Sequence, residues 1–553
     1  MTIKALADRY WSDILALDPI LATQVGDERF DDRLPDPSLE GIAHKRAVHS
    51  AALDQVGRLR ESATDQSDRA ICDVVEAIAR PELAAIDLGM FRFAPINHLS
   101  GPGTLLEELG SIQRTNTAEQ LTRYSHRLES LPAYLQACGE ILLKGTDQPT
   151  GPALVVDRCI RQVEELLASD PENSPALRPI PADDAHARSR VVDLIRARVL
   201  PAYARYLDDL RVCRARARTT IGLHDLPKGD QMYQVCIERW TSLSRDPREV
   251  HEIGRADLQK VQAERLALAR QLGSDDPAEA VAAHVASGKN SFQSREEIVQ
   301  LAREQVERGW DRAPQFFGRR PQRNCEVRPI DESRENYMLE YYMPGTADGS
   351  RPGVYYVNTA KPQQRQRHSL ASTTFHESNP GHHFQIALER DQKDRPALLQ
   401  FGGELASSAF IEGWGLYAER LADEMGLFID SYERLGMLQA QGVRAARLVV
   451  DTGLHALGWT RDQVIQTLAS TGLEPGRCAI EADRYIAMPG QALAYKIGQI
   501  EIETARRRAE QESGSAFSLS GFHDRVLALG SVPLTTFRRE LSSWSHADRL
   551  SMS

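Results

Sequence analysis

The sequence predicts a mainly α-helical fold with one small β-sheet, and three observations support this prediction. Long segments rich in Ala, Leu, Arg and Glu carry apolar residues at intervals of three and four, the period of an amphipathic helix. One short region between Glu326 and Asn358 is instead rich in β-branched and aromatic residues. The length of 553 residues exceeds what one compact core usually supports, which predicts two subdomains that meet at a cleft.

The predicted elements divide the chain near residue 225. Residues 1–225 form an N-terminal helical region, and residues 226–553 form a second region that is expected to interlock with the first. In the second region, helical runs over Pro247–Leu272 and Pro277–Arg308 precede the small sheet at 326–358. Two strands are predicted for this sheet, in ENYMLEYYMPG and RPGVYYVNT, joined through GTADGSRPG, and helical periodicity then resumes to the end.

Composition and charge restrict the partners and the location of the protein. The chain has 67 Lys and Arg against 78 Asp and Glu, a net charge of −11, so its surface repels nucleic acid and anionic membranes. Its 7 cysteines are scattered singly, which predicts neither a disulfide framework nor a cysteine zinc site. The first residues contain no uninterrupted apolar stretch of the secretory type. We therefore expect a cytoplasmic protein.

The pair His376-Glu377 is the first sign of chemistry in the chain. In one class of zinc hydrolases an adjacent His and Glu on a helix serve as zinc ligand and general base. The second zinc-binding histidine then follows four residues after the first, one helical turn away on the same face. Here Pro380 occupies that position, so the usual spacing is not met.

The next histidines, His382 and His383, predict a broken helix. In a straight helix they would lie roughly 9 and 10.5 Å further along the axis than His376, too far to share one ion. Asn379 is a good helix N-cap, Pro380 suits a first helical position, and Gly381 permits close approach, so the sequence favours an interruption there. Either histidine could then reach the metal, with His382 slightly favoured because Gly-His ends many such motifs.

Glu412 is predicted as the third metal ligand. It lies on a strongly helical segment between apolar neighbours such as Ile411 and Trp414, and a buried carboxylate requires a charged or metal partner. Glu404 and Glu419 are predicted as alternative ligands or as residues that hold a ligand in place. The competing interpretation is a structural histidine cluster that caps a helix.

Four ordered motifs in the chain resemble the bacterial "domain of unknown function 885" family. They are LASTTFHESNPGHHFQ, FIEGWGLYAERL, DTGLHALGWT and RYIAMPGQALAYKIGQ. The resemblance implies a metallopeptidase-like helical fold, similar to those of thimet oligopeptidase and carboxypeptidase Taq, with a deep cleft between two helical halves and the small sheet next to the metal helix. It also implies zinc at His376, at one or both of His382 and His383, and at Glu412, which makes 226–553 the catalytic region. No substrate is implied.

Further site residues are predicted in the segment Arg484 to Lys496 and nearby. Hydrolysis of an amide passes through an oxyanion that needs hydrogen-bond donors, and Tyr485 is the first choice for this role, followed by Tyr495. Arg484 or Lys496 could hold a substrate carboxylate, and Gln491 is predicted to bind substrate. For each of these residues a structural role in the core or in a salt bridge is the alternative.

Two more predictions concern His455 and the strand GVYYVNT. His455 lies in an apolar helix, where it could donate to the oxyanion or orient Glu412, although a core histidine is an equally good interpretation. The strand could offer a sheet edge to which an extended peptide adds, with Tyr356 and Asn358 facing the cleft. A purely structural sheet is the alternative.

These observations favour a zinc-dependent hydrolase of a peptide or amide bond in a short peptide or small molecule, with Glu377 as general base. A second hypothesis keeps the zinc but assigns biosynthetic chemistry, namely hydrolysis, cyclisation or elimination on a non-peptide small molecule. A third is a non-catalytic binding protein that retains the fold. A homodimer stays an open alternative to a monomer.

Overall fold

Helices dominate the N-terminal region of the computed structural model, which describes residues 2–144, 151–332, 335, 338–346 and 351–542. Many of these helices begin at a side chain that caps them, as at Thr117, whose hydroxyl accepts a hydrogen bond from the backbone N–H of Gln120. The helices up to residue 214 are α1 (Ile3–Leu17), α2 (Pro19–Val25), α3 (Leu39–Leu59), α4 (Gln66–Asp87), α5 (Leu105–Ile112), α6 (Ala118–Leu143), α7 (Ala153–Ala168), α8 (Ala185–Leu194) and α9 (Leu200–Arg214).

Four helices follow before the sheet: α10 (Gly229–Thr241), α11 (Pro247–Gln271), α12 (Pro277–Ala286) and α13 (Arg295–Arg312). The helical run predicted over Pro277–Arg308 is therefore two helices. Gly288, at φ 73°, follows the end of α12, and the Ser294 side chain caps the start of α13. The periodicity resumes after this turn, which explains why the sequence alone suggested one segment.

The small sheet has three strands, where two were predicted: β1 (Glu326–Pro329), β2 (Tyr341–Met343) and β3 (Val354–Val357). The strand order is β1-β3-β2, with β1 parallel and β2 antiparallel to β3. Its apolar face packs on α13. Residues 336–337 of the first predicted strand segment and 347–350 of the predicted connection lie outside the described residues.

The C-terminal helices surround the motif region. They are α14 (Arg367–Glu377), α15 (His382–Arg390), α16 (Ala397–Phe401), α17 (Gly403–Glu424), α18 (Ser431–Ala456), α19 (Arg461–Ala469), α20 (Pro475–Ala487), α21 (Leu493–Ser513), α22 (Leu519–Leu529) and α23 (Leu534–Ser542). Helix α14 packs against both α17 and α18. Helices α17 and α21 approach so closely that a Cβ on Gly498 would lie 1.7 Å from the Ala409 carbonyl oxygen. Glycine is therefore required at this crossing.

Two large hydrophobic clusters hold the helices together, and each contains residues from both predicted regions. One joins α1, α3 and α4 to α17, α21 and the C-terminal helices. The other joins α5 to α9 with α18, α19 and α20. The helices on either side of residue 225 thus share their cores, while the boundary itself and the cleft stay predictions.

The described residues confirm the mainly α class with a small sheet. All seven cysteines are buried, and none of them forms a disulfide. None of the described helices combines the length and the apolar character that a membrane span requires.

Candidate metal centre

The helix that carries His376 ends one residue later, as the sequence predicted. Helix α14 ends at Glu377 and α15 begins at His382, so the predicted interruption is confirmed. The Asn379–Pro380 peptide is cis, and the Trp414 indole N–H donates to the Pro380 carbonyl oxygen at 2.9 Å. The break is thereby tied to α17.

The details of the break differ from the prediction at Asn379. Gly381, and not Asn379, precedes α15 as its N-cap residue. The Asn379 side chain instead donates to the Asn324 side-chain oxygen at 2.7 Å and to the Val306 carbonyl at 3.3 Å. These contacts hold the loop against α13 and the sheet. A polar loop residue can find a tertiary partner as readily as it can cap a helix.

Gly381 lets the start of α15 fold back onto the end of α14. A Cβ at this position would lie 1.9 Å from the His376 carbonyl oxygen and 2.4 Å from that of Phe375. Only glycine allows so close an approach of two backbones. The result is that the His376 and His382 rings lie 4.6 Å apart between centroids, inclined at 80°.

His376, Glu377 and His382 form a group whose ligand atoms all lie within 4.8 Å of one another. Glu412, on α17, adds a fourth member, since its Oε2 lies 3.5 Å from Nε2 of His376 and 3.5 Å from Nε2 of His382. In tetrahedral zinc with bonds of about 2.0–2.1 Å, neighbouring ligand atoms are about 3.3–3.4 Å apart. The spacing of the two nitrogens and the oxygen fits such an ion.

His383 lies outside this group. Its Nδ1 is 3.1 Å from the Tyr342 hydroxyl, and its Nε2 is 3.0 Å from the Arg323 carbonyl oxygen. Burial lowers the pKa of His383 to about 4, so the ring is neutral at physiological pH. The sequence left the choice between the two histidines open, and the structure brings His382 to His376 and turns His383 to the sheet side.

Glu419 orients His376 from behind. Its Oε1 accepts a hydrogen bond from His376 Nδ1 at 2.9 Å, and its Oε2 accepts from the Ser372 hydroxyl at 2.9 Å and from the Gln441 amide at 3.3 Å. A histidine that donates from Nδ1 presents the bare Nε2 to a metal. Glu419 therefore holds the His376 ring in place, whereas Glu404 lies near the start of α17, where burial and a nearby carboxylate raise its pKa.

The charges of the group favour a cation. Burial lowers the pKa of His376, but its hydrogen bonds with Glu412 and Glu419 outweigh burial and raise that pKa to about 9. Burial acts to raise the pKa of Glu412, yet the hydrogen bonds from His376 and His382 hold it well below its usual range. Burial raises the pKa of Glu377 by more than the two nearby histidines lower it. Three carboxylates around two imidazoles thus stabilise positive charge.

Glu377 and strand β2 are in direct contact. The Tyr342 backbone N–H donates to Glu377 Oε2 at 2.9 Å. The sheet edge beside the cluster is therefore β2, because the predicted edge strand GVYYVNT forms β3, the central strand.

Tyr356 stacks on Tyr341, and the buried Asn358 side chain donates to the Glu335 and Met338 carbonyls at 2.7 and 2.8 Å. These contacts lie within the sheet region, and the substrate-binding role of the two residues stays a prediction.

The two predicted oxyanion donors lie in different surroundings. The Tyr495 ring stacks against His376 at 6.5 Å between centroids. The Tyr485 hydroxyl is fully buried, donates to Glu481 and accepts from Arg447 Nε at 3.0 Å. Of the two tyrosines, it is therefore Tyr495 that adjoins the cluster.

Arg484 and Gln491 lie beside Tyr495. Arg484 Nη2 donates to the Gln491 side-chain oxygen at 2.7 Å and to the Tyr495 hydroxyl at 3.3 Å. The Arg484 side chain is 22% exposed, so this group is open to solvent. The structure thus brings three of the predicted residues together next to His376.

Lys496 and His455 lie elsewhere, in the core. Lys496 Nζ is 3.0 Å from both the Asp257 carboxylate and the Gln441 side-chain oxygen, and the residue is buried. His455 Nε2 meets the Tyr485 carbonyl oxygen at 3.0 Å, and burial lowers the pKa of His455 to about 4. The described contacts of both side chains are structural and include neither Glu412 nor the cluster, and the roles predicted for them stay predictions.

The sequence did not reveal Arg447 or the backbone of Tyr342. Arg447 is buried on α18, and its guanidinium carbon lies 4.5 Å from the centre of the Tyr495 ring. A signal existed, because Arg447 stands four residues before Asp451 on the buried face of an apolar helix. Tyr342 contributes a backbone N–H, for which no residue type is diagnostic.

The fold and the site define a mainly helical protein in which histidine and glutamate side chains meet at a helix break. The chain belongs to the DUF885 family, described as "Bacterial protein of unknown function", which matches residues 19–541. This match confirms the family that the sequence motifs resemble. No curated protein matches the chain.

Two solved structures share the fold. One is described as a "putative lipoprotein" from Colwellia psychrerythraea, 24% identical, with a TM-score of 0.90 over 98% of both chains. The other is described as a "putative lipoprotein of unknown function" from Shewanella oneidensis, 16% identical, with a TM-score of 0.76 over 98% of this chain and 100% of that chain. At these identities the likeness concerns the fold.

Proposed function

We propose that the chain is a zinc-dependent hydrolase that cleaves a peptide or amide bond in a short peptide or small molecule. The observation that carries this proposal is the position of Glu412 Oε2, 3.5 Å from Nε2 of both His376 and His382, beside the Glu377 carboxyl. Two imidazoles and one carboxylate are the donor set of many catalytic zinc sites.

His376, His382 and Glu412 would hold the ion. Zinc bound there would polarise a substrate carbonyl and lower the pKa of an attacking water molecule. Glu419 holds the His376 ring with its Nε2 toward the ion, as carboxylates behind metal-binding histidines do.

Glu377 is suited to move the proton. The Tyr342 N–H donates to its Oε2 and orients the carboxylate, and Oε1 would accept the proton of the water molecule. The same oxygen then delivers the proton to the leaving nitrogen, so one carboxylate serves both halves of the hydrolysis.

Tyr495 is suited to stabilise the oxyanion. Its hydroxyl accepts a hydrogen bond from Arg484, so its own hydrogen is available for a substrate oxygen. The Tyr485 hydroxyl is engaged by Glu481 and Arg447, so Tyr495 takes the role that the sequence assigned first to Tyr485.

The test compares the wild-type protein with Glu377→Gln after zinc is removed by a chelator and restored. Both proteins are expected to bind one zinc, and the wild type is expected to hydrolyse members of a panel of dipeptides and N-acyl amino acids. Glu377→Gln should lower kcat by about 10²- to 10⁴-fold, since it removes the general base.

A matched control is Glu326→Gln, the same substitution at an exposed position on β1. It should keep its activity within about twofold, as surface substitutions usually do. A protein that binds no zinc, or a Glu377→Gln variant that hydrolyses as fast as the wild type, would overturn the proposal. Bound zinc with no hydrolysis of any member of the panel would overturn the peptide and amide assignment.

A further inference from the structure

Two cationic side chains, Arg447 and Arg484, contact Tyr495, whose ring stacks on His376. The Arg447 guanidinium carbon is 4.5 Å from the centre of the Tyr495 ring, which itself stacks on His376. Arg484 reaches the hydroxyl end of the same ring. We call Arg447, Arg484, Tyr495 and Gln491 the arginine subsite.

The charges in the arginine subsite do not balance. Arg447 Nη2 donates to Glu481 Oε2 at 2.9 Å, and Arg484 Nη1 lies 3.5 Å from Glu481 Oε1. Two guanidinium groups thus share one carboxylate, and their described contacts include no second one. One positive charge is left for an anion, because a buried charge without a counter-ion is unfavourable.

Arg447 also keeps a donor free. Its Nε donates to the Tyr485 hydroxyl and its Nη2 to Glu481, whereas its Nη1 is buried and has no hydrogen-bond partner among the described residues. The residue as a whole is only 6% exposed. A buried donor without a partner is rare in folded proteins, and a bound anion would satisfy this one.

We infer that the arginine subsite binds the free carboxylate of the substrate, which makes the enzyme specific for short peptides or N-acyl amino acids cleaved next to their C-terminal residue. This inference rests on the proposed hydrolase function. Guanidinium groups bind carboxylates through paired N–H donors, and Gln491 holds Arg484 in position. One residue of extended chain spans about 3.3–3.6 Å, so a carboxylate one or two residues from the cleaved bond suits a position one ring from His376.

The test measures binding and does not depend on turnover. Zinc-loaded Glu377→Gln protein is titrated with N-acetyl-phenylalanine and with N-acetyl-phenylalaninamide, which differ only in the carboxylate. The acid should bind about 10- to 100-fold more tightly, the range for hydrogen bonds to a charged group. The same two titrations of a double variant, Glu377→Gln with Arg484→Met, should show that most of the preference for the acid is lost.

Two further variants keep the result interpretable. Arg447→Lys keeps the charge but loses the fork of donors, and it should reduce the preference less than Arg484→Met does. Arg461→Met is the matched control, because Arg461 also pairs with a carboxylate, at 2.7 Å from Asp483, and is 31% exposed outside the subsite. It should leave the preference unchanged.

The outcomes separate the two proposals. Equal binding of acid and amide, or a preference that survives Arg484→Met, would overturn the arginine subsite even in an active hydrolase. A preference for the acid that depends on Arg484, in a protein that hydrolyses nothing, would support the subsite and overturn the hydrolase assignment alone.

Discussion

Two segments that the sequence marks as functional behave differently in the structure. In His376–His383, a helix break brings the predicted chemistry to one point, with only His383 turned away. In Arg484–Lys496, the side chains scatter: Tyr495 adjoins His376, while its neighbour Lys496 pairs with Asp257 in the core. Tyr495 and Lys496 are successive residues of α21, and successive residues on a helix point about 100° apart, so these two side chains enter different surroundings. Between His376 and His382 the helix is broken, so this rule does not apply to them.

The largest expected effect distinguishes the two adjacent histidines of the first segment. His382→Asn removes a proposed zinc ligand and should weaken zinc binding by more than the roughly 100-fold typical of outer-shell changes. His383→Asn changes a side chain that is hydrogen-bonded to Tyr342 and Arg323, and this variant should still bind one zinc. Zinc content and affinity are measured on both purified proteins.

If His383→Asn lost its zinc while His382→Asn kept it, His383 and not His382 would be the zinc-binding histidine after the break. Circular dichroism of the two variants serves as the control, since both residues are buried and either change can affect folding.

A smaller effect is expected at Glu419, which supports His376 without being a proposed ligand. Glu419→Gln should weaken zinc binding by about 10- to 100-fold, because the Nδ1 hydrogen bond no longer ends on a charged acceptor. Competition with a chelator of known affinity gives this ratio. Glu424→Gln, an exposed change at the end of the same helix, should leave the affinity unaltered, and equal affinities for both variants would contradict the supporting role of Glu419.

The smallest expected effect concerns Lys496 in the second segment. Lys496→Met removes the cation that pairs with the Asp257 carboxylate and one of the two hydrogen bonds to the Gln441 oxygen, so the free energy of unfolding should fall by about 1–3 kcal/mol. KM for the best substrate should stay within twofold. Denaturant titration and steady-state kinetics check these values against Lys393→Met, an exposed change. A large rise in KM at unchanged stability would restore the substrate role predicted from the sequence.

The sequence predicted the class of fold well because helical periodicity is strong and repeated along the chain. The sequence pattern predicted one helix over the residues that form α12 and α13. Both helices have the same helical periodicity, and only a short turn that contains Gly288 and Ser294 separates them. The sequence pattern missed β1, whose four residues Glu326–Pro329 are too short to show a pattern. It also placed GVYYVNT at an edge, because strand order depends on tertiary pairing that no local pattern records.

The candidate site was predictable where covalent spacing restricts the geometry. A histidine six residues beyond another cannot share an ion with it along a straight helix, so the spacing favoured the interruption predicted at Asn379–Gly381, and the structure breaks the helix between Glu377 and His382. Arg447 was not predictable in the same way. Its partners Tyr485, Glu481 and Tyr495 lie on other helices, and only the packing of α18 against α20 and α21 brings them together.

We propose that His382, the histidine just after the helix break, completes a zinc site with His376 and Glu412. Anomalous scattering at the zinc edge, recorded from a crystal of the zinc-loaded protein, locates the ion. We expect one peak about 2.0–2.2 Å from Nε2 of His376, Nε2 of His382 and an oxygen of Glu412. A peak bonded to His383 instead, or no peak at the break, would contradict it.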